Sequence, residues 1–289
     1  MKQIYFTDHT ASLNHRLKKK LLGLSSYALA RGVPFFSNRI AEKILCTPVK
    51  AKTPAKIPEG FRTSYIEVLD KKVAIYEKGA GDKLVLFAHG WSGNAFNFKS
   101  FFDSYTDAGY KVITFDQIAH GNSDGDTSNY YFFYKTLEAV YKHLSVDHNI
   151  NAVIAHSMGT SASIAAMLPP STKLCFIAPV IPVFDSLYSS VKGFGLSGLM
   201  VKKFLSSYES RFDLDLNSID PKKLIKSVDN PLQIIHSSDD QYIRPEDNLP
   251  YYSEKQKVNI VNLEGLGHFR ILKSKEVVKL SLEFIDDSN

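Results

Sequence analysis

The chain has 289 residues, of which 44% are hydrophobic and 22% are charged, a composition typical of a soluble globular protein with one large domain or two small ones. No apolar run approaches the length of a membrane-spanning helix. The two cysteines, Cys46 and Cys175, exclude a disulfide framework and lack the spacing of metal ligands, so we expect a reducing compartment, the cytoplasm.

The net charge of +5 is concentrated at the N-terminus. Residues 1–60 carry eleven Lys or Arg against three Asp or Glu, whereas the rest of the chain carries 24 basic and 27 acidic side chains. The basic cluster at residues 16–20 is typical of a solvated helix face, the interpretation we favour, although it also suits anionic lipid or nucleic acid. We expect no nucleic-acid partner and at most a weak membrane-surface contact through this N-terminal arm.

The arm is predicted to form two helices, over residues 10–31 and 38–46, followed by a proline-rich linker over residues 47–60. The basic residues before the apolar stretch 21–30 also resemble a secretory signal, but polar residues interrupt that stretch, and we favour a retained helix. One face of the first helix is expected to dock against a core because leucines recur there at helical spacing, at Leu13, Leu17, Leu21 and Leu24. On the second helix the residues expected to face inward are Ile40, Ile44 and Leu45.

From residue 61 the pattern changes to that of an α/β domain, which we expect to cover residues 61–289. Two alternating segments, residues 62–69 and 73–76, predict an antiparallel hairpin. Apolar segments then predict buried strands at residues 84–88, 111–115, 152–155, 173–178, 232–236 and 258–263. Helical patterns occur at residues 96–108, 130–144, 159–168 and 275–285. Strands that alternate with helices predict a mostly parallel sheet with helices on both faces.

Residues 180–228 interrupt this alternation with a helical, aromatic-rich stretch between two strands. An insertion there follows the carboxyl end of a strand, where α/β sheets bind ligands, so we interpret it as a small helical lid. Phe194 and Phe204 of this lid are expected to contact a hydrophobic part of the substrate. The alternative is a helix pair that packs on the sheet and has no role in binding.

Between a predicted strand and a predicted helix the sequence places Ser157. A serine on a sharp strand-to-helix turn exposes its hydroxyl, and the helix N-terminus behind it favours developing negative charge. The turn brings backbones close, so the residues two before and two after must be small, as Ala155 and Gly159 are. Ser123 lies in a literal G-x-S-x-G, but turn-forming residues follow it instead of a helix. Ser157 is therefore the predicted nucleophile.

Two late loops supply partners for this serine, which needs a base to take its proton and an acid to orient that base. One loop contains Asp239 and Asp240 and follows a predicted strand, and the other contains His268 and follows the last strand. Because the carboxyl ends of parallel strands share one sheet edge, both loops should lie near the strand-to-helix turn of Ser157, which we call the serine elbow. His268 is the best placed of five candidate histidines, the others being His89, His120, His156 and His236. We expect His156 to point away from the site and His89 to brace its own loop.

Negative charge that develops on a substrate carbonyl oxygen needs two backbone N–H donors. Met158, which directly follows Ser157 at the helix start, is the first expected donor. Trp91 is the second, because it follows a strand end and because Gly90 before it lets the backbone approach. The indole of Trp91 is also expected to line the substrate pocket.

These motifs occur together in the order found in the α/β-hydrolase family, which the chain resembles over about residues 62–289. The resemblance rests on the His89–Trp91 loop, the Asp116–Ser123 loop, the serine elbow, the aspartate loop and the Gly267–His268 pair. It implies an α/β-hydrolase fold with an eight-stranded sheet, and acyl transfer to water without a cofactor. The family pattern H-x-x-x-D places the acid at Asp240, with Asp239 as the alternative. The ending Gly-His-Phe-Arg-Ile-Leu resembles a bacterial esterase-like subgroup with an added N-terminal helical arm.

We therefore expect a serine hydrolase that cleaves small-molecule carboxylic esters through an acyl-enzyme, with Ser157, His268 and Asp240 as catalytic residues and no metal. Thioesterases, acyltransferases and peptidases use the same residue types and stay open as alternatives. A non-catalytic ligand-binding protein on the same fold is a further alternative. A dehalogenase is disfavoured because that chemistry in this fold uses an aspartate at the elbow.

Overall fold

The computed structural model describes residues 13–49, 56–253, 255 and 258–287. They form two compact units, which we call the helical unit and the sheet unit. The helical unit contains the described arm up to Thr47 together with Pro182–Asp220, and the sheet unit contains Pro48–Ile181 and the chain from Pro221 onward. The arm and the insertion, distant in sequence, thus share one unit. Residues 10–12 of the predicted first helix and residues 50–55 of the predicted linker lie outside the described residues.

An eight-stranded sheet organises the sheet unit, with the strand order β1-β2-β4-β3-β5-β6-β7-β8. The strands are β1 (Arg62–Val68), β2 (Lys71–Lys78), β3 (Lys83–Ala88), β4 (Tyr110–Phe115), β5 (Ile150–His156), β6 (Lys173–Ile177), β7 (Leu232–Ser237) and β8 (Val258–Leu263). β2 pairs antiparallel with β1 and with β4, whereas the other neighbours run parallel. The predicted mostly parallel, eight-stranded sheet is thereby confirmed.

The hairpin at the edge of the sheet turns more tightly than predicted. Leu69 and Asp70 have φ angles of 50° and 58°. Two successive positive values are typical of a two-residue type I′ turn, whose twist matches that of the flanking strands. The second strand consequently begins at Lys71, and Lys71 and Lys72 pair with Val68 and Glu67 instead of forming a loop.

Side chains that alternate along β3 fill two apolar layers, one on each face of the sheet. Leu84 and Leu86 belong to the layer under α4 (Tyr130–Leu144) and α5 (Met158–Ala165). Val85 and Phe87 belong to the layer under α3 (Lys99–Asp107) and α11 (Lys275–Asp286). Because both faces are covered, the strand is a continuous apolar run. Short helices lie in the loops of this unit, at α8 (Pro221–Leu224), α9 (Pro245–Asn248) and α10 (Gly267–Arg270).

The helical unit consists of α1 (Leu13–Gly32), α2 (Pro34–Leu45), α6 (Val183–Phe194) and α7 (Gly198–Phe212). Polar contacts join the arm to the insertion: the Ser197 amide donates to Ser26 Oγ over 2.9 Å, and Arg211 pairs with Glu42 at 3.0 Å. At Gly195, which ends α6 with a φ of 83°, a Cβ would lie 2.9 Å from the carbonyl oxygen of Lys19. Among the described residues, no helix combines the length and the apolar character needed to span a bilayer.

The predicted orientation of α1 and α2 was wrong. Leu17, Leu21 and Leu24 are 58%, 59% and 61% exposed, and Ile40 and Ile44 are also exposed, while Leu45 is half-buried. The buried positions are small residues instead, at Ser26, Ala30, Ser37 and Ala41. Small side chains permit a short distance between helix axes, so these helices pack through their small residues and leave the large apolar ones outside. The side chains of Leu13 and Arg16 lie outside the described residues.

Candidate active site

The turn between β5 and α5 holds Ser157 in a conformation that few residues adopt. Its φ is 52° and its ψ is −124°, and the side chain is partly exposed. A Cβ at residue 159 would lie 2.4 Å from the carbonyl oxygen of Ala88, and one at residue 90 would lie 2.7 Å from Ser157 Cβ. Both positions therefore need glycine, because the loop after β3 and the start of α5 press together at this turn.

Ser157 is the first member of a chain of hydrogen-bonded side chains. His268, in α10 after β8, places its Nε2 3.0 Å from Ser157 Oγ. The other ring nitrogen, Nδ1, lies 2.7 Å from Asp240 Oδ2. With a proton on Nδ1, the ring donates to the carboxylate and presents a free lone pair to the hydroxyl. The histidine is then a base aimed at the serine proton.

Asp240 is buried, and its carboxylate accepts several hydrogen bonds. Its Oδ1 accepts from the amides of Tyr242 and Ile243, each at 2.9 Å, and its Oδ2 contacts His236 Nε2 at 3.2 Å as well as His268. Burial alone would raise the pKa of this carboxyl, but hydrogen bonds from His236 and His268 hold the pKa well below its usual value of 3.8. The residue is therefore a carboxylate at neutral pH, available to stabilise a charged His268.

Asp239 has a different set of contacts. Its Oδ1 accepts from the Gly267 amide over 3.0 Å and from the Ser237 hydroxyl, and its Oδ2 lies 3.8 Å from Arg270. These contacts tie the loop after β7 to the loop that carries His268. Of the two aspartates that the sequence left open, Asp240 is thus the one within hydrogen-bond distance of His268.

The contact between His236 and Asp240 was not predicted from the sequence, where His236 was considered only as an alternative base. His236 is 1% exposed, and its Nε2 lies 3.0 Å from the carbonyl oxygen of Ile243 as well as near Asp240. A carbonyl oxygen only accepts, so Nε2 carries the proton and is shared between the two oxygens. The four-residue spacing between His236 and Asp240 was the available signal, because a tight turn after the strand folds one toward the other.

Two further histidines brace the site as neutral rings. His89 Nδ1 donates to the Gly90 carbonyl over 2.7 Å, and Nε2 accepts from the Gln117 amide over 3.0 Å. His156 Nε2 contacts the backbone carbonyl of His268 at 2.9 Å. Burial lowers the pKa of His89 to about 4, and burial with the nearby charge of His268 lowers that of His156 to about 3. Neither ring acts on Ser157 Oγ; both hold loop backbones.

The remaining candidate histidine also holds a loop. His120 Nε2 accepts from the Ser92 amide over 3.0 Å, and Nδ1 lies 2.9 Å from the carbonyl of Ile118. Its ring centroid is 5.4 Å from that of Trp91. The turn that carries Trp91 is therefore tied to the loop after β4.

The predicted oxyanion donors lie on either side of the elbow. Met158 is the first residue of α5, so its N–H is one of the helix-start donors without an intrahelical acceptor. Trp91 follows Gly90, whose backbone abuts Ser157. The indole ring is half-buried, with its centroid 6.0 Å from that of Phe133. The role of both amides in binding an oxyanion stays a prediction.

Ser123 lies in a different loop, where its hydroxyl has a structural role. Its hydroxyl donates to the carbonyl of Asp116 over 2.7 Å and accepts from the Ala74 amide over 2.9 Å, and the residue is 6% exposed. Gly121, with a φ of 48°, could hold no Cβ, which would lie 2.1 Å from Asp116 Cγ. The loop wraps the buried Asp116 carboxylate, and Ser123 closes it against β2.

Phe194 and Phe204 were predicted to contact substrate, and this stays a prediction. Phe194 is half-buried at the end of α6, whereas Phe204 is 5% exposed and packs beside Tyr208 with ring centroids 5.7 Å apart. The helical unit also contains a cleft of about 260 Å³ whose lining includes Phe184, Tyr188 and Leu205. In the described part of the chain, no group of three or more His, Cys, Asp or Glu is arranged to hold a metal ion.

Comparisons with known proteins agree with this architecture. The model of the Alpha/beta hydrolase family matches residues 85–280. An uncharacterized protein of Bacillus subtilis (strain 168), YqkD, is 23% identical over 219 residues, which are 71% of this chain and 72% of that protein.

Solved structures with the same fold include an esterase, a putative lipase and a thioesterase domain. The Pyrococcus furiosus esterase Pf2001 matches with a TM-score of 0.64 at 19% identity, covering 83% of this chain and 98% of that one. A putative lipase, lip1, from Acinetobacter baumannii AYE has a TM-score of 0.57 at 17% identity, covering 81% and 98%. The thioesterase domain from the curacin biosynthetic pathway has a TM-score of 0.58 at 16% identity, covering 78% and 99%. At such identities the likeness concerns the fold.

Proposed function

The chain belongs to the alpha/beta hydrolase family, and from that premise we propose that it hydrolyses carboxylic esters with Ser157 as the nucleophile. The observation that carries the proposal is the continuous hydrogen-bonded chain from Ser157 through His268 to the buried carboxylate of Asp240. A serine hydroxyl is a weak nucleophile alone, and this arrangement supplies both a base and the group that orients it.

In the proposed reaction, Ser157 Oγ attacks the ester carbonyl carbon while His268 Nε2 takes the hydroxyl proton. The tetrahedral intermediate carries its negative charge on the former carbonyl oxygen, which the amides of Trp91 and Met158 bind. His268 returns its proton to the departing alcohol as the carbon–oxygen bond breaks, leaving an acyl-serine. A water molecule, deprotonated by His268, then attacks this ester, and the acid product leaves as Ser157 regains its proton.

Asp240 acts on this sequence through His268. Its carboxylate fixes the ring tautomer and offsets the positive charge that appears on the ring in each transition state. The amides of Tyr242 and Ile243 and the ring of His236 hold the carboxylate in place and keep it ionised. His236 is a positioning residue, since it contacts Asp240 and not the reacting atoms.

The reaction is tested with p-nitrophenyl esters of acetate, butyrate, hexanoate and octanoate, alongside thioesters of the same acids. We expect turnover of the oxygen esters. Hydrolysis of thioesters alone would move the assignment to a thioesterase, which the curacin-domain likeness makes the second candidate. Absence of turnover on every substrate, together with no reaction of Ser157 with a fluorophosphonate, would instead support a ligand-binding protein.

The same panel tests the predicted substrate contact of the insertion. A methylene group that becomes buried contributes about 0.8 kcal/mol, so kcat/KM should rise roughly fourfold per carbon until the pocket is full. Phe194→Ala should flatten this profile if Phe194 contacts the acyl chain. A profile identical to that of the unmodified protein would assign Phe194 to packing. Phe204 is a poorer probe, because truncation of so buried a ring also lowers the free energy of unfolding.

A further inference from the structure

The outward sides of α1 and α2 carry large apolar side chains exposed to solvent. On α1, Leu17, Leu21 and Leu24 follow i, i+4, i+7 spacing and form one stripe, each more than half exposed. On α2, Phe35 and Phe36 are 66% and 60% exposed. We call these five residues the arm face. A stripe of three leucines and a pair of phenylalanine rings with centroids 5.6 Å apart differ from the singly scattered apolar side chains that are normal on soluble proteins, so they indicate a partner.

The packed sides of the two helices carry small side chains, whereas their large apolar side chains face solvent. Ser26 and Ala30 of α1 and Ala41 of α2 are almost fully buried. Ser26 is nine residues, or about two and a half helical turns, from Leu17 and so lies on the opposite side of α1. The arm is thus already fastened within the helical unit through its small residues. The arm face lies on the other side and is exposed to solvent.

Basic side chains border the arm face. Lys18 and Lys20 are exposed and lie on either side of the leucine stripe of α1. On α2 the Arg39 guanidinium lies 5.6 Å from the centroid of the Phe35 ring, and Lys43 is exposed one turn further on. The one acidic residue in the sequence of these two helices, Glu42, is paired with Arg211. The surroundings of the arm face are therefore apolar and positively charged together.

We propose that the arm face docks on the surface of an anionic lipid bilayer, with α1 and α2 lying in the plane of the interface. The leucine and phenylalanine side chains enter the boundary between headgroups and acyl chains, and the long basic side chains extend to lipid phosphates. Apolar burial and charge attraction are the two components of interfacial helix binding, and this face offers both.

A second copy of the chain fits the same face less well. A two-fold contact would bring the arm face of one copy against the arm face of the other, and Lys18, Lys20 and Arg39 would meet their own equivalents. Like charges brought together oppose such a contact. Nucleic acid would satisfy the charges but would leave the five apolar side chains exposed. The anionic bilayer is the occupant that accommodates both features.

The test is sedimentation of the full chain with vesicles of 70% phosphatidylcholine and 30% phosphatidylglycerol, compared with phosphatidylcholine alone. The unmodified protein should sediment with the anionic vesicles, and less so as salt is raised. Leu21→Glu with Leu24→Glu should weaken this partitioning at least tenfold. The matched control, Val146→Glu with Leu249→Glu, introduces the same charge at exposed apolar residues of the sheet unit and should bind as the unmodified protein does. Circular dichroism checks that both variants fold.

The proposal does not depend on the chemistry of Ser157, since sedimentation needs no turnover. It is overturned if the unmodified protein does not sediment with anionic vesicles, or if both double variants lose binding equally. A dimer in analytical ultracentrifugation that the Leu21→Glu, Leu24→Glu variant dissolves, without vesicle binding, would assign the arm face to self-association instead. Salt-sensitive binding to duplex DNA without vesicle binding would likewise overturn it.

Discussion

Ser157 and Ser123 lie in similar five-residue patterns but in different structural settings. Ser157 occupies a strand-to-helix turn with positive φ, is partly exposed, and has a histidine nitrogen 3.0 Å from its hydroxyl. Ser123 is buried, and its hydroxyl forms hydrogen bonds with two backbone groups. A serine thus becomes a candidate nucleophile through the neighbours that its turn provides. The local sequence motif is a weaker guide, since Ser123, the buried serine, has the closer match to G-x-S-x-G.

The largest expected effect separates these two serines. Ser157→Ala should lower kcat/KM for p-nitrophenyl butyrate by about 10⁴-fold or more, because it removes the hydroxyl that lies within hydrogen-bond distance of His268 Nε2. The unfolding midpoint in urea should barely move. If Ser157→Ala retained most of the activity, the elbow would not be the reacting turn.

Ser123→Ala is the matched control, and it should lower the stability of the fold while leaving the activity nearly unchanged. Loss of its hydroxyl leaves the Asp116 carbonyl and the Ala74 amide short of a partner, so the free energy of unfolding should fall by about 1–3 kcal/mol. The kcat of the folded fraction should stay near that of the unmodified protein. Loss of activity without loss of stability would instead indicate a chemical role for Ser123.

The next effect distinguishes the two adjacent aspartates. Asp240→Asn should lower kcat by about 10³-fold, since the neutral amide cannot stabilise a charged imidazole and disturbs the tautomer of His268. Asp239→Asn removes the negative charge that faces Arg270 but keeps an oxygen that accepts from the Gly267 amide, so it should cost much less. Steady-state kinetics of both variants gives the ranking, and the opposite order would move the acid to Asp239.

A smaller effect is expected at His236. His236→Phe keeps a ring of similar size but removes a donor to Asp240, so kcat should fall about tenfold, the scale of one hydrogen bond to a charged group. KM should stay unchanged because His236 contacts no substrate. His236→Gln, which restores an N–H donor, should recover part of the loss. Equal kcat in the Phe variant and the unmodified protein would reduce His236 to packing.

The last expected effect is on stability and depends on pH, through the neutral rings of His89 and His156 that hold loop backbones beside the site. His89 and His156 have pKa values lowered to about 4 and about 3, below the 6.5 of an ordinary histidine. Below pH 6.5 the unfolded chain therefore binds protons that the folded chain does not bind. As a result, the free energy of unfolding falls as the pH drops from 6.5 toward 4. Each histidine contributes a slope of about 1.4 kcal/mol per pH unit.

Urea unfolding at pH 7, 6 and 5 measures this slope. His89→Asn should lower the number of protons taken up on unfolding by about one. Stability that is flat between pH 6.5 and 5 would mean that these rings are not held neutral by burial.

The sheet and the order of the site residues could be predicted because their signals are local. Each buried strand is a short apolar run, and the elbow, the aspartate loop and the Gly267–His268 pair each follow one. Parallel pairing then brings their carboxyl ends to one edge. The start of β2 was not predicted because Lys71 and Lys72 look like a loop, while an edge hairpin tolerates exposed lysines in its strands.

The orientation of α1 could not be predicted for a physical reason. Helical spacing shows that Leu17, Leu21 and Leu24 share one side of the helix, but it cannot show whether that side meets protein or solvent. The decision depends on whether Ser26 and Ala30 find a closely fitting helix, which in this chain comes from the distant insertion. The contact between His236 and Asp240 was missed for a similar reason, since it depends on the path of a loop.

The most direct test of the central claim is to treat the protein with a fluorophosphonate and locate the adduct by peptide mass spectrometry. An activated serine reacts with this electrophile, whereas an ordinary buried hydroxyl does not. We predict one adduct, on Ser157, that is absent in His268→Ala and unaffected by Ser123→Ala. An adduct on Ser123, or no adduct on a folded protein, would contradict the assignment of Ser157 as the nucleophile.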